Sequence, residues 1–191
     1  MIILNAAIVM LVRGVLGLTM VITLLTNTAL AFDPIDLKKL KKTNECAAYD
    51  LSGSDLSDVR LIDANIRCAN LEGANLQRAD LLIASLWAVN LERADLSNAK
   101  LIIVNLRDAD LKVAELEGTN LGKASLKGAV LSGANLSGVT LEGAKLRYVN
   151  LTSVNLKGAS RKGADMFAAN LKHSNLANAN LLGCQVTEAG C

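Results

Sequence analysis

The sequence contains few of the residues from which catalytic sites and ordinary cores are built. Only five of its 191 residues are aromatic, and it has one histidine and one proline. Such aromatic poverty argues against an ordinary globular core, which takes much of its bulk from Phe, Tyr and Trp. A single histidine leaves little room for histidine-based acid–base or metal chemistry.

An excess of charge of one sign is also missing. The chain carries 20 basic and 18 acidic residues, a net charge of +2, and 51% of it is hydrophobic. This balance excludes a polybasic nucleic-acid binder and a polyacidic tail, and the apolar content excludes a disordered chain. The sequence has no Gly-x-Ser-x-Gly, Walker or metal-ligand spacing. It therefore predicts no enzyme, no cofactor and no nucleic-acid partner.

The N-terminus differs from the rest of the chain. Residues 2–31 are almost continuously apolar, and Arg13 precedes a run from Gly14 to Thr28 that ends in Ala29-Leu30-Ala31. This layout is typical of a secretory signal peptide, here residues 1–31 with cleavage after Ala31. The alternative is a retained membrane anchor, because about 20 apolar residues span a bilayer. Contact with a membrane is expected only in that second case.

Export changes the interpretation of the four cysteines. In an oxidising compartment they are candidates for two disulfides, although the sequence allows three pairings. Pairing of nearest neighbours would fasten each end of the mature domain. Buried thiols that act as small apolar residues are the alternative, especially for the second and third cysteine. The four are Cys46, Cys68, Cys184 and Cys191.

From Leu51 onward the chain repeats every five residues. Leu fills 24 of the 28 positions from 51 to 186, Ala or Val usually stands two residues earlier, and Asn or Asp one residue earlier. A step of five gives no apolar stripe on an α-helix, and on a continuous strand it sends successive leucines to opposite faces. A fixed short period instead indicates a solenoid, whose units bury their apolar residues against their neighbours.

Three units carry a resemblance to a known family. Ala-Asn-Leu-Glu-Gly (69–73), Ala-Asn-Leu-Gln-Arg (74–78) and Ala-Asp-Leu-Ser-Asn (94–98) are similar to the Ala-(Asp/Asn)-Leu-x-x consensus of pentapeptide-repeat proteins. The resemblance implies an all-β solenoid, a right-handed quadrilateral β-helix with four units per coil. Over residues 47–187 it implies about seven coils, followed by a tail at 188–191. It also resembles exported cyanobacterial members, which implies the periplasm or thylakoid lumen.

The open ends of a solenoid need a cover. Residues 32–46 are expected to cap the first coil, with a short helix over 34–43 that begins at Asp33-Pro34. Few residues follow Val186, so the far end has little cover. An end-to-end homodimer through that end is the resulting hypothesis.

Residues 20 apart should stack on one side of the rod, which allows the outward positions to be compared. Stacking gives a candidate partner patch of aliphatic residues in three successive coils, with a tryptophan around the next corner. Cover by the N-terminal segment, or scattered apolar residues without a role, are the alternatives. The patch consists of Ile62, Leu82, Ile83, Ile102, Ile103 and Trp87.

Two charged features remain. Arg67, Arg107, Lys127 and Arg147 form a basic ladder at one outward position, for which a solvated face is the expected explanation. Arg161 is the one charged residue at a core position, and burial of an unpaired charge is costly. We therefore expect a local bulge that turns Arg161 outward.

The function that fits these features is a non-enzymatic structural or protein-interaction module outside the cytoplasm, with an unknown protein partner. The alternative comes from the family, some of whose members imitate DNA and bind gyrase. Their strongly acidic surfaces differ from the balanced charge of this chain. The export signal also argues against that alternative.

Overall fold

The repeated part of the chain winds in turns of 20 residues. The computed structural model describes residues 50–180 in full and the backbone of residues 8–13 and 19–24. Parallel bridges join each residue before a central Leu to the residue 20 positions later, from Asp50↔Asn70 to Ser160↔Asn180. Four five-residue units therefore complete one turn, which confirms the solenoid that the period predicts and the β-helix that the family resemblance implies.

The backbone of each unit is bonded mainly to the turns on either side. Around Leu71, its N–H donates to Asn90 O at 2.7 Å and Gly73 N–H donates to Glu92 O at 2.8 Å. Asn75 N–H donates in the other direction, to Ser54 O at 2.9 Å. Ala74 N–H donates to Leu71 O at 3.0 Å and closes the corner. Four of five backbone donors are thus paired within the ladder, as a solenoid requires.

The fifth donor explains the Asn or Asp that precedes each central Leu. Glu72 N–H donates to Asn70 Oδ1 at 3.2 Å, and Gln77 N–H donates to Asn75 Oδ1 at 3.1 Å. A short side chain with a carbonyl or carboxylate oxygen reaches its own backbone two residues on, which is an Asx turn. The Asn or Asp before a central residue therefore completes the backbone hydrogen bonding, and no ligand is needed to explain it.

Each corner places one residue in the left-handed region. All 26 residues that follow a central residue by two positions in units 51 to 176 have φ between 54° and 75°, and only nine of them are glycine. A side chain at such a φ is strained, and most of all a β-branched one. The fold therefore tolerates a small cost at most of its corners.

The core is a single narrow column that all four sides share. Central leucines such as Leu96, Leu101 and Leu106 are completely buried, and small residues such as Ala94 fill the space beside them. We name the sides A, B, C and D after the units centred on 51, 56, 61 and 66. Turns 1 to 6 begin with the units centred on 51, 71, 91, 111, 131 and 151.

The expectation for Arg161 is wrong. Its side chain is completely buried, and Arg161 Nη1 lies 3.4 Å from Met166 Sδ. No bulge forms, because Arg161 N–H donates to Asn180 O and Ala164 N–H donates to Arg161 O, both at 3.0 Å. These bonds hold the unit in the same register as its neighbours, so its central side chain points inward whatever its chemistry.

Two strands lie in the segment predicted as a signal peptide. β1 (Ile8–Arg13) and β2 (Thr19–Leu24) form an antiparallel pair in which Ile8 is opposite Leu24. In residues 8–13, 19–24 and 50–180 we find no helix of the length and apolarity that a membrane span needs. The predicted capping helix over 34–43 and the last part of the predicted seventh coil fall outside the residues that the structure describes.

Candidate interaction surfaces

Side C carries a row of aliphatic side chains in turns 1 to 3. Ile83 and Ile103 stand at successive corners with 45% and 51% of their surface exposed, and their neighbours in the row are half-buried. The parallel pairing of Asp80 with Lys100 holds the side C units of turns 2 and 3 directly over each other. We call this set the apolar row: Ile62, Leu82, Ile83, Ile102 and Ile103. The structure thus brings together the aliphatic residues that the sequence placed on one side.

The two exposed isoleucines occupy the left-handed corner position. Ile83 has φ 55° and Ile103 has φ 59°. A β-branched side chain at such a φ costs about 1 kcal/mol or more. Glycine or asparagine would fit the same corner with less strain. The scaffold therefore gains nothing from these two side chains.

A shallow depression of about 220 Å³ lies next to the row. It opens because Gly122 takes the outward position that Leu82 and Ile102 fill in the turns before it. Ile102 and Ile103 form one wall, and Lys123 and Glu142 lie on the other. The depression is large enough for a side chain as large as tryptophan and is apolar at one end and charged at the other.

Side D carries cations and aromatic rings in one column. Arg67 Cζ lies 4.9 Å from the centroid of the Trp87 ring, and Trp87 Nε1 donates to Asp108 Oδ2 at 3.1 Å. The tryptophan is thus engaged on side D, around the corner from the apolar row. We call this set the cationic column: Arg67, Trp87, Arg107, Lys127, Arg147 and Phe167.

The lower end of the cationic column is a second cation–aromatic cluster. Arg147 Cζ lies 4.7 Å from the Phe167 centroid, and the rings of Tyr148 and Phe167 meet edge to face at 5.9 Å. Arg147 Nε is also 3.8 Å from Asp165 Oδ2. Arg67, Arg107 and Lys127 form no ion pair with any residue of 50–180. The column therefore presents three uncompensated cations.

Side B lies opposite side D and is acidic over turns 1 to 4. Asp58 pairs with Arg78 at 2.5 Å, whereas three of the other carboxylates are bonded to neutral groups. Asn75 donates to Asp55, Gln77 donates to Asp95, and Asn135 donates to Glu115. Neutral donors satisfy these carboxylates without cancelling their charge. The acidic set of side B is Asp55, Asp58, Asp95, Glu115 and Glu117.

Hydrogen bonding favours the ionised form of three aspartates of the acidic set. The side-chain bond from Ser57 lowers the pKa of Asp55, and the bond from Arg78 lowers the pKa of Asp58. For Asp95, burial acts to raise the pKa, but the bonds from Ser97 and Gln77 together lower it. The three carboxyl groups stay charged at every pH above their ordinary range.

An open trough of about 680 Å³ runs down side B from turn 3, and Glu117 is the one member of the acidic set that lines it. Glycine occupies the corner in three successive turns, at Gly118, Gly138 and Gly158. A Cβ added at Gly118 would lie 2.6 Å from Asn98 Oδ1, whereas one at Gly138 or Gly158 would meet nothing within 4 Å. The trough is absent from the sequence-based predictions, although glycines spaced by 20 residues indicate it.

Metal-binding chemistry has no obvious place in this part of the chain. No group of three or more His, Cys, Asp or Glu side chains in residues 50–180 is arranged to hold a metal ion. Cys68, which stands at a corner of turn 1, is disulfide-bonded. Its partner is one of the three cysteines outside the described residues, so the predicted pairings stay predictions.

Comparison with known proteins supports the repeat. The family model "Pentapeptide repeats" matches in eight copies within residues 50–172. QnrB1, a plasmid-mediated fluoroquinolone resistance protein, aligns with TM-score 0.56 and 22% identity over 72% of this chain and 77% of its own. HetL of the cyanobacterium Nostoc has TM-score 0.31 and 25% identity over 74% and 86%. A thylakoid-lumen protein of Arabidopsis thaliana has TM-score 0.27 and 32% identity over 59% and 71%. No curated protein matches.

Proposed function

Since the chain belongs to the pentapeptide-repeat family, whose members are generally structural or interaction modules, we propose that it is a non-enzymatic, protein-binding rod that works outside the cytoplasm. The apolar row on side C is the observation that carries the proposal. It is exposed, it continues over three turns, and it adds strain to the scaffold at Ile83 and Ile103. Large exposed aliphatic side chains in one contiguous set mark contact surfaces.

The geometry of side C suits a flat or extended partner surface. Backbone bonds between turns fix the spacing of the row, so its side chains are ordered before a partner arrives. The depression beside Ile102 and Ile103 accepts one side chain of the partner, and Lys123 and Glu142 at its far end provide polar contacts. A central apolar contact with a polar rim is the usual anatomy of a protein interface.

A capture experiment with three baits tests the proposal. Wild type, the double variant Ile83→Lys/Ile103→Lys and the control Val113→Lys are incubated with an extract of the cells that make the protein. Val113 is 53% exposed at the same left-handed corner but on side A, so it matches the two isoleucines in exposure and strain. We expect the control to recover the wild-type partner and the double variant to recover at least about tenfold less. Equal recovery by all three baits, with unfolding temperatures unchanged, would contradict the proposal.

The proposed compartment rests on two features. The apolar segment at residues 2–31 supports export, and the disulfide at Cys68 suits an oxidising compartment. Cys68 lies in turn 1 and Cys46 is its nearest cysteine along the sequence, so we propose that its partner is Cys46. The mass of the mature protein, before and after reduction and alkylation, measures both the cleavage site and the disulfides.

Imitation of DNA towards gyrase is the second candidate. The likeness to QnrB1, at 22% identity, supports the fold alone. Residues 50–180 contain 15 basic and 14 acidic residues, and the cationic column occupies one whole side. We therefore expect no protection of gyrase from a fluoroquinolone in a supercoiling assay.

A further inference from the structure

Sides B and D have opposite charge. On side D the outward residues of turns 1 to 6 include five cations and two carboxylates, and on side B they include two cations and five carboxylates. The two sides face in opposite directions across a four-sided rod. A second copy of the chain therefore offers to side D a surface of the complementary sign with the same 20-residue repeat.

We propose that the protein self-associates laterally, with the cationic column of one copy docked against the acidic set and the trough of side B of the next. The rods are parallel and in register. This contact is separate from the apolar row on side C, so the proposal does not depend on the proposed function.

The turn-by-turn arrangement of charge selects the parallel register. Turns 1, 3 and 4 place Arg67, Arg107 and Lys127 at the levels of Asp58, Asp95 and Glu117. Turn 6 reverses both signs, because Asp165 on side D lies at the level of Lys157 on side B. Opposite charges at matched levels attract, and their repeat distance is the same on both surfaces because the backbone ladder sets it.

The antiparallel arrangement keeps opposite charges at the same level in turns 3 and 4 but opposes like charges in turns 1, 5 and 6. Reversal of one rod brings Arg67 of turn 1 to the level of Lys157, and brings Asp165 of turn 6 to the level of Asp55 and Asp58. It also brings Arg147 of turn 5 to the level of Arg78. Like charges in contact discriminate strongly against a wrong arrangement.

The shapes of the two sides agree with the charges. The trough on side B begins in turn 3, and in turns 4 to 6 Gly118, Gly138 and Gly158 leave its corner without side chains. Over the same turns, side D projects Arg107, Lys127 and Arg147. Long cationic side chains therefore face a depression that contains Glu117, with Lys157 at the level of Asp165.

Because the two surfaces lie on opposite sides, each docked copy leaves a free side B and a free side D. Such a heterologous contact does not close, and it extends into ribbons of rods. Its main attraction is electrostatic and exposed to solvent, so salt weakens it.

Sedimentation velocity of the full chain tests the contact. At about 20 mM salt, where the Debye length is about 20 Å, we expect concentration-dependent association of wild type, and at about 300 mM we expect its loss. The variants Arg107→Glu/Lys127→Glu and Glu115→Lys/Glu117→Lys should each associate at least about tenfold more weakly. Mixing the two variants should restore association, since the unmodified side B of the first meets the unmodified side D of the second.

The control is Lys162→Glu/Lys172→Glu on sides C and A, which makes the same change of net charge as Arg107→Glu/Lys127→Glu at two exposed lysines. The control should associate like wild type. Because the N-terminal segment is the same in every protein compared, it cannot cause a difference between the variants. Association that persists in both side variants would place the contact at the ends of the rod and overturn the proposal. Monomers of wild type at both salt concentrations, equal loss in the control, or no recovery on mixing would also overturn it.

Discussion

Sides A and B of the rod differ from sides C and D in the residue that precedes each central position. Asn or Asp fills twelve of fourteen such positions on sides A and B but only six of thirteen on sides C and D. On sides A and B these amides also bond to one another along the rod. Asn155 donates to Asn135 at 3.0 Å, and Asn175 donates to Asn155 at 3.1 Å.

The comparison separates residues that serve the fold from residues that the fold does not need. The amide ladders satisfy backbone donors, as Asn135 does for Ser137 N–H at 3.2 Å. The apolar row and most of the cationic column make no comparable bond. The departures from Asn or Asp collect on sides C and D, which are also the two sides that carry the apolar row and the cationic column. Such collection is what a contact surface requires and what a scaffold alone does not.

The largest expected effect tests whether core side chains under sides B and D contribute equally to stability, although the outer surfaces of these sides differ. Leu96→Ala under side B and Leu106→Ala under side D each remove a completely buried side chain. Each should lower the free energy of unfolding by about 2–5 kcal/mol, because a cavity remains in a core too narrow to collapse. Urea unfolding of both variants measures it. A much smaller loss under side D would show that the sides differ inside as well as outside.

A smaller effect should distinguish the two kinds of side directly. Asn135→Ala removes the acceptor of Ser137 N–H and the partners of Glu115 and Asn155, so we expect a loss of about 1–2 kcal/mol in unfolding free energy. Ser125→Ala, at the same position of a unit on side D, removes no side-chain hydrogen bond and should cost less than about 0.5 kcal/mol. Equal losses in urea unfolding would remove the distinction.

The smallest effect has the opposite sign. Ile103→Asn should raise the free energy of unfolding by about 0.5 kcal/mol, because asparagine tolerates a φ near 59° better than a β-branched residue. Val113→Asn on side A, with φ 55°, should give the same gain. Thermal unfolding of the two variants measures it. Destabilisation by Ile103→Asn alone would mean that the apolar row packs as part of the fold.

Much of the rod was predictable because one repeat specifies both backbone and core. Leu every five residues with Ala two before it identified the solenoid, and the apolar row followed from stacking by 20. The prediction for Arg161 is wrong because it considered only the cost of burying a charge. The backbone hydrogen bonds that hold its unit in register keep the side chain inside. The trough on side B was missed because it arises from three glycines that are 20 residues apart and contact one another only through the turns.

The sequence by itself determined the period, the core and the identity of the residues that point outward. These properties are local, because each five-residue unit has the same pattern of residues and therefore the same backbone conformation. Only the tertiary structure decided that Arg161 stays inside, that Trp87 stacks with Arg67, and that the trough of side B lies at the levels of the cationic column. Those properties depend on how turns lie over one another, and the backbone ladder between turns fixes that arrangement for every side chain at once.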